Sequence, residues 1–218
     1  MIKAVIFDFD GLIIDTETPW FQAFSEIYRE HGAFLPLETW VQCVGADEKH
    51  FNPYDYLEQC INRPIDRDSL RELSKKKYSA FIKGNNLNPG VLNCLKTAKS
   101  LGLKVGLASS SARDWVEGYL KDFNLLDYFD YLCTRERVKK IKPDPELYLN
   151  VLNHFGINGN EAIAFEDSPN GAKSAKEAGI YCVIVPRGIT SNLQFDYYDL
   201  KVGSLEDLNL IELAANFR

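Results

Sequence analysis

The sequence has few of the features that mark nucleic-acid-binding or disulfide-stabilised proteins. It contains no basic run, and its formal net charge is −6, which argues against nucleic acid as a partner. It has no Cys-x-x-Cys pair, and the number of its cysteines is odd: Cys43, Cys60, Cys94, Cys133 and Cys182. Such spacing is typical of free thiols in a cytoplasmic protein and argues against a structural zinc site.

Long apolar runs are also missing. No stretch is long enough to span a membrane, and the single lysine at the amino terminus precedes a strand-like segment that Asp8 interrupts, which is unlike a signal peptide. We therefore expect a cytoplasmic protein with no membrane partner. Hydrophobic residues make up 45% of the 218 residues, enough for one large domain or a core with a smaller domain. Nothing in the sequence requires a second chain, so we expect a monomer.

A pair of acidic residues lies near the start of the chain. The apolar run from Ala4 to Phe7 predicts a buried strand, and Asp8, Asp10 and Gly11 follow it. Because side chains at i and i+2 of a strand point the same way, the two carboxylates should lie close together. They then need a metal ion, a lysine or a shared proton between them. Gly11 allows a sharp turn and leaves space for a small ligand. The alternative is an acidic loop that caps a buried strand.

Residues 16–83 have a helical pattern and no convincing strand. Apolar residues recur at helical spacing over four segments, which are 20–31, 37–44, 53–61 and 66–82. Thr16 or Thr18 is a suitable N-cap for the first of these helices. A segment rich in turn residues, 84–90, ends this part of the chain.

From residue 91 onward, helical and strand patterns alternate. Helices are predicted at 91–101, 113–123, 144–155, 168–179 and about 205–217, and strands at 104–108, 131–134, 162–165 and 181–185. The alternation predicts an α/β fold with a doubly wound, Rossmann-like parallel sheet. We expect a core of residues 1–15 and 84–218. Residues 16–83 would form an inserted helical cap above the carboxyl ends of the strands, where ligands bind.

Polar residues gather where the carboxyl edge of this sheet should lie. They are Asp8 and Asp10 after the first strand, Ser109 and Ser110 after the second, Lys142 before a helix, and Glu166 and Asp167 after a later strand. Each has a simpler interpretation, since serines and acids favour helix amino termini and a lysine is usually solvated. Together, however, the carboxylates, hydroxyls and ammonium group suit Mg²⁺ and a phosphate.

Four motifs resemble those of the haloacid dehalogenase superfamily of phosphatases and phosphomutases, in particular the members with a helical cap. The motifs are Asp8-Phe9-Asp10-Gly11, Ala108-Ser109-Ser110-Ser111, Lys142-Pro143-Asp144-Pro145 and Glu166-Asp167-Ser168-x-Asn170-Gly171. The resemblance covers essentially the whole chain and is strongest to proteins similar to β-phosphoglucomutase and phosphoglycolate phosphatase. It implies a Mg²⁺-dependent phosphatase that hydrolyses a small phosphomonoester, such as a sugar phosphate, through an aspartyl-phosphate.

The resemblance also implies a role for each polar residue. Asp8 would be the nucleophile, and Asp10 would protonate the leaving oxygen and later deprotonate the attacking water. Ser109 would bind the phosphoryl group together with the backbone N–H of Ser110. Lys142 would neutralise the charge of Asp8 and of the phosphate.

By the same resemblance, Mg²⁺ would be held by Asp8, by the backbone carbonyl of Asp10 and by Asp167. Glu166 would be a supporting carboxylate beside the metal or an alternative metal ligand. The lysine and the metal together would allow the acids at the strand ends to lie side by side.

Positions in the cap distinguish the phosphatase from its main alternative, a sugar phosphomutase of the β-phosphoglucomutase type. Those mutases carry a histidine where this chain has Trp20, and an arginine in a loop that corresponds here to residues 45–50, which contain none. Trp20 and Trp40 either line the substrate pocket or pack the cap. Lys77 stands where a cap lysine would bind an anionic substrate, and the alternative is a solvated helix face.

Two further alternatives belong to other classes of protein. A receiver-type phospho-acceptor domain also places acids, a hydroxyl and a lysine around Mg²⁺, but it has no helical insertion of this size. A catalytically silent binding protein would not need all four motifs. We therefore interpret the sequence as a phosphoric monoester hydrolase whose partner is a small phosphorylated metabolite.

Overall fold

The computed structural model, which describes residues 1–41 and 51–217, is built on a parallel sheet. The strands are β1 (Ala4–Phe7), β2 (Lys104–Ala108), β3 (Tyr131–Cys133), β4 (Ala162–Glu166), β5 (Tyr181–Ile184) and β6 (Leu200–Lys201). Their order across the sheet is β3-β2-β1-β4-β5-β6, and every neighbouring pair is parallel. The predicted α/β fold is confirmed. Only the two-residue strand β6 has no counterpart in the sequence pattern, because it is too short to form an apolar run.

The described part of the chain contains nine α-helices. They are α1 (Glu17–Glu30), α2 (Leu37–Trp40), α3 (Pro53–Ile61), α4 (Arg67–Phe81), α5 (Val91–Ser100), α6 (Arg113–Asp122), α7 (Glu146–Phe155), α8 (Pro169–Glu177) and α9 (Leu210–Ala215). Each corresponds to a helix predicted from the sequence. The predicted helix 37–44 begins as α2, and its last residues lie outside the described ranges, as does the loop 45–50.

Strand β1 is central, which explains its continuous apolar sequence. It pairs with β2 on one side and β4 on the other, and all four of its residues have no exposed surface. Val5 and Phe7 belong to the apolar cluster on one face of the sheet, whereas Ala4 and Ile6 belong to the cluster on the other. A strand buried on both faces needs apolar residues at every position rather than at alternate ones.

Helices α1 to α4 share a separate apolar cluster. Its buried members are Phe24, Ile27, Tyr28, Leu35, Trp40, Leu57, Leu70 and, from the loop after β5, Ile189. Trp40 is 4% exposed, and its ring centroid lies 5.2 Å from that of Phe24. Of the two interpretations of Trp40, packing is therefore the one that the structure bears out.

Two asparagines in the returning segment fix the start of this helical unit to the end of β1. The side-chain amide of Asn85 donates to the backbone carbonyl of Asp15 at 2.8 Å. That of Asn88 donates to the carbonyl of Gly11 at 2.7 Å. The residues that enter and leave the helical unit are thus held beside the carboxyl end of the central strand.

The thiols agree with the sequence-based expectation. Cys60, Cys94, Cys133 and Cys182 are free, and all but Cys60 are buried. Cys43 lies outside the described residues. Within 1–41 and 51–217, every helix is too short or too polar to cross a lipid bilayer.

Candidate active site

Three carboxylates meet at the carboxyl ends of β1 and β4. Asp8 follows β1, Glu166 is the last residue of β4, and Asp167 comes next. One carboxylate oxygen from each lies within 4.8 Å of the others, and all three residues are buried. Neighbouring parallel strands bring these residues together although they are far apart in sequence. A set of carboxylate oxygens is the kind of site that hard divalent cations prefer.

A buried lysine lies against this cluster. The side chain of Lys142 is 2% exposed, and its Nζ lies 2.6 Å from Asp8 Oδ1 and 2.7 Å from Glu166 Oε1. Burial lowers the pKa of Lys142, but the charges of Asp8 and Glu166 outweigh this effect and raise the pKa overall. Tyr148 supports the arrangement from α7, because its hydroxyl donates to Glu166 Oε1 at 2.5 Å. The lysine is therefore held as an ammonium ion between two carboxylates.

The single ammonium group does not balance the three acids. Burial raises the pKa of Asp8 to about 7, with a further rise from the charge of Glu166 and an opposing effect from Lys142. Burial and the charges of Asp8 and Glu166 raise the pKa of Asp167 well above its ordinary range. Glu166 Oε2 is buried and has no hydrogen-bond donor among the described residues. This oxygen and the shortage of positive charge both fit a divalent cation at the cluster.

Glycines allow the carboxylates to approach the backbone. Gly11 has φ +78°, and a Cβ there would collide with the carboxylate of Asp167. A Cβ at Gly171 in α8 would collide with the carboxylate of Glu166. The sharp turn predicted at Gly11 is confirmed. The space beside it holds Asp167, not a small ligand as the sequence had led us to expect.

Asp10 has a different set of partners. Its Oδ1 accepts hydrogen bonds from the Thr16 hydroxyl at 2.8 Å and from the Trp115 indole N–H at 2.9 Å. Its Oδ2 accepts one from the Ser111 hydroxyl at 2.5 Å. Burial raises the pKa of Asp10, although the donors from Ser111 and Trp115 oppose the rise. A raised pKa favours the protonated form of Asp10, which is the form that a general acid needs.

The prediction that Thr16 or Thr18 caps the first helix is only partly right. Thr16 does occupy the N-cap position of α1, but its hydroxyl makes no capping bond, because it is directed to Asp10. The other candidate cap, Thr18, lies in the first turn, where its backbone N–H donates to Asp15 Oδ1 at 2.9 Å.

The serines after β2 lie at the same edge of the sheet. Ser109 is 1% exposed, and its hydroxyl oxygen accepts a hydrogen bond from the Ser111 backbone N–H at 3.0 Å. The hydroxyl oxygen of Ser110 is buried without a partner among the described residues. The bond to Ser111 does not use the hydroxyl proton of Ser109.

Comparison with known proteins identifies the family. The family model for haloacid dehalogenase-like hydrolases matches residues 5–185. The chain belongs to this hydrolase family. YhcW of Bacillus subtilis (strain 168), which bears the name of a candidate phosphatase, is 44% identical over 96% of this chain and 95% of its own length. Hexitol phosphatase B of Escherichia coli (strain K12) is 31% identical over 97% of this chain and 96% of its own.

A solved structure agrees with this assignment. The crystal structure of a Thermotoga maritima protein, named as a candidate β-phosphoglucomutase, matches with a TM-score of 0.78 at 27% identity. The match covers 97% of this chain and 99% of that one. The sequence-based resemblance to the haloacid dehalogenase superfamily is thus confirmed. Members of this hydrolase family use a metal ion, and the carboxylate cluster of Asp8, Glu166 and Asp167 could hold one.

The two helical residues that the sequence suggested as substrate ligands have partners of their own. Lys77 Nζ lies 2.8 Å from Glu26 Oε2 and 2.8 Å from Glu30 Oε1, so its charge is matched between α4 and α1. Trp20 stacks on Tyr78 with ring centroids 4.2 Å apart. A substrate-binding role for Lys77 and Trp20 stays a prediction, and the contacts of Lys77 favour a structural role.

Sequence reasoning missed several supporting residues of this candidate site. Tyr148 lies on the apolar face of its helix, where nothing in the pattern indicates a bond to Glu166. Thr190 is 1% exposed, and its hydroxyl lies 3.3 Å from Asp167 Oδ2. Its position shortly after the end of β5 is the one available signal, since it places a polar residue at the carboxyl edge of the sheet.

Glu17, in the first turn of α1, predicts an unusual dependence of stability on pH. Burial and the charges of Asp10, Asp15 and Asp8 raise the pKa of Glu17 from 4.5 to about 8. The folded protein therefore binds this proton more tightly than the unfolded chain does, so the free energy of unfolding falls as the pH rises between these two values. With a chelator present, Glu17→Gln should stabilise the protein by roughly 1–3 kcal/mol above about pH 8, and little near pH 5.

Urea unfolding at both pH values measures this difference. Glu212→Gln changes an exposed glutamate in α9 and is the matched control. If Glu17→Gln and Glu212→Gln had the same effect at both pH values, the raised pKa of Glu17 would be contradicted.

Proposed function

We propose that the chain is a Mg²⁺-dependent phosphatase that hydrolyses a small phosphomonoester of the sugar or polyol class through an aspartyl-phosphate. The observation that carries the proposal is the buried contact of 2.6 Å between Lys142 Nζ and Asp8 Oδ1 beside the carboxylate cluster. A carboxylate that is buried at a strand end next to a fixed cation suits an attacking group that must approach a phosphate dianion.

The reaction would proceed in two steps at Asp8. Its carboxylate attacks phosphorus while the protonated Asp10 gives its proton to the bridging oxygen, so that the alcohol leaves neutral. Asp10 then takes a proton from a water molecule, which attacks the phosphorus, releases inorganic phosphate and restores Asp8. The Ser109 hydroxyl and the Ser110 backbone N–H donate hydrogen bonds to the phosphoryl oxygens, and Lys142 balances their charge.

A divalent cation would be held by Asp8, Asp167 and the backbone carbonyl of Asp10, with Glu166 beside it. When bound, it would neutralise charge on the phosphoryl oxygens and on the nearby acids. The orphaned Glu166 Oε2 and the set of oxygen donors support this assignment. Mg²⁺ is the cation that such oxygen sites commonly use with phosphates.

Residues 16–83 would act as a cap that selects the substrate. Thr16 enters the site from the start of this segment by its hydrogen bond to Asp10. The charge of Lys77 is matched by Glu26 and Glu30, which leaves it poorly suited to bind the second phosphate that a mutase must hold. A relative that is named a hexitol phosphatase supports a polyol or sugar monophosphate as the substrate class.

Inorganic phosphate release from a panel of phosphorylated sugars and polyols tests the proposal. We expect release from one or more monophosphates in the presence of Mg²⁺. Chelation should reduce the rate by about 100-fold or more, because the phosphoryl charge is then left poorly balanced. Re-addition of Mg²⁺ should restore the rate.

Other outcomes would identify the alternatives. Isomerisation of a sugar phosphate that depends on a bisphosphate primer, without phosphate release, would establish the phosphomutase. An aspartyl-phosphate that persists for minutes would indicate a signalling module. A folded protein that neither releases nor transfers phosphate from any compound would contradict the proposal.

A further inference from the structure

A row of aromatic rings joins the cap to the core beside the catalytic acid. We call Trp20, Tyr78, Trp115 and Tyr119 the aromatic row. Trp20 and Tyr78 come from α1 and α4, and their ring centroids are 4.2 Å apart. Trp115 and Tyr119 come from α6 of the core, with centroids 5.1 Å apart. Tyr78 joins the two pairs, since its ring lies 5.4 Å from that of Trp115 and its hydroxyl 3.0 Å from that of Tyr119.

One member of the aromatic row contacts Asp10 directly. The indole N–H of Trp115 donates to Asp10 Oδ1 at 2.9 Å, and the Thr16 hydroxyl donates to the same oxygen at 2.8 Å. An indole nitrogen can only donate, so this bond cannot reverse in the way that a hydroxyl bond can. Two donors on Oδ1 occupy the two acceptor positions of a carboxyl oxygen.

The other oxygen of Asp10 is less occupied. Oδ2 has one hydrogen-bond partner among the described residues, the hydroxyl of Ser111 at 2.5 Å. It therefore retains a position that can carry a proton or face a ligand. The unequal number of donors distinguishes the two oxygens, and Trp115 contributes to that difference.

We propose that Trp115 is a positioning residue, which fixes the carboxyl of Asp10 so that Oδ2 delivers the proton to the leaving oxygen of the substrate. The inference rests on the proposed phosphatase function and assigns a task to a residue that lies outside the four motifs. The stacked rings of Trp20 and Tyr78 hold the indole in place, so docking of the cap and orientation of the acid depend on the same ring.

The inference makes the role of Trp115 depend on the leaving group. A sugar or polyol alkoxide is a poor leaving group and needs the proton from Asp10 as its bond to phosphorus breaks. A nitrophenolate leaves as a stable anion and needs little help. The value of kcat/KM reports the steps up to the release of the leaving group, so comparison of the two substrates isolates the proton transfer.

Trp115→Phe tests this, because phenylalanine keeps an aromatic ring in the row and removes the N–H. With Mg²⁺ present, we expect kcat/KM for a polyol phosphate to fall about 10–100-fold, the size of a lost hydrogen bond to a carboxylate. For p-nitrophenyl phosphate it should fall less than about threefold, and that activity also shows that the variant is folded with an intact site.

Tyr119→Phe is the matched control. It removes a hydroxyl that pairs with Tyr78 in the same row but makes no bond to Asp10. Its effect should be equal and small for both substrates.

Each other outcome has a distinct meaning. An equal loss of kcat/KM for both substrates in Trp115→Phe would show that the indole only supports the fold. No loss for either substrate would show that its hydrogen bond to Asp10 does not contribute to catalysis. Both results would overturn the inference and leave the phosphatase intact. Wild-type protein that releases no phosphate from either compound would instead overturn the proposed function, and this inference with it.

Discussion

Replacement of Asp8 by asparagine should reduce phosphate release by roughly 10⁴-fold or more, as expected when a covalent nucleophile is removed. The amide has nearly the shape of the carboxylate, but it has no anionic oxygen to attack phosphorus. The fold should survive, because Lys142 keeps its contact with Glu166 at 2.7 Å, and the cluster loses one of its surplus negative charges. The measurement is phosphate release from a saturating polyol phosphate with Mg²⁺.

Two comparisons make the result specific to Asp8. Asp127→Asn removes an exposed carboxylate from the surface and should leave the rate unchanged. Wild-type protein quenched with acid during turnover should carry a phosphoryl group on the peptide that contains Asp8, and the Asp8→Asn variant should carry none. A variant that kept about a tenth of the wild-type rate would mean that water attacks the phosphorus directly.

The strand-end residues of the site could be predicted because the fold itself brings them together. Asp8, Glu166 and Asp167 follow apolar runs that could be recognised as buried strands, and parallel strands place their carboxyl ends at one edge. Lys142 was harder to predict, since it precedes a helix and a surface position was the simpler interpretation. Lys142 can be buried because it contacts Asp8 and Glu166, which lie at the ends of two strands. The residues next to Lys142 in the sequence give no sign of these contacts.

The supporting residues could not be predicted, because their residue types also serve a simpler purpose. Tyr148 and Trp115 occupy positions on helices where an aromatic residue is expected to pack, and only the polar atom at the tip of each ring reaches the site. Thr16 satisfied the rule for a helix N-cap, but that rule considers only the neighbouring chain. The side chain of Thr16 is directed away from the helix and donates its hydroxyl proton to Asp10.

Position 11 requires a glycine for two reasons, one local and one that depends on the tertiary structure. The local reason is the sharp turn after β1, which gives Gly11 a positive φ and which the sequence predicted. The lack of a side chain is required separately by Asp167, which comes from the end of another strand and fills the space. A substitution at Gly11 would therefore disturb both the turn and the candidate metal site.

Lys142→Met should lower the free energy of unfolding by about 3–5 kcal/mol in the presence of a chelator, the cost of removing one partner from a buried ion pair. Methionine has a similar length but no charge, so Asp8 and Glu166 would remain buried without a cation between them. Urea unfolding measures the change. Lys140→Met, two residues away and exposed, is the control and should have little effect.

Mg²⁺ and a second substitution separate the charge of Lys142 from its packing. Added Mg²⁺ should recover part of the lost stability, because the acids again have a cation beside them. Combining Lys142→Met with Glu166→Gln should give a protein about 1–3 kcal/mol more stable than Lys142→Met alone, since one unpaired buried charge is gone. If the lysine stem acted only by packing, Mg²⁺ would stabilise the variant no more than it stabilises the wild-type protein, and the second substitution would add its own loss. Phosphate release should stay low throughout, because the phosphoryl group lacks its ammonium partner.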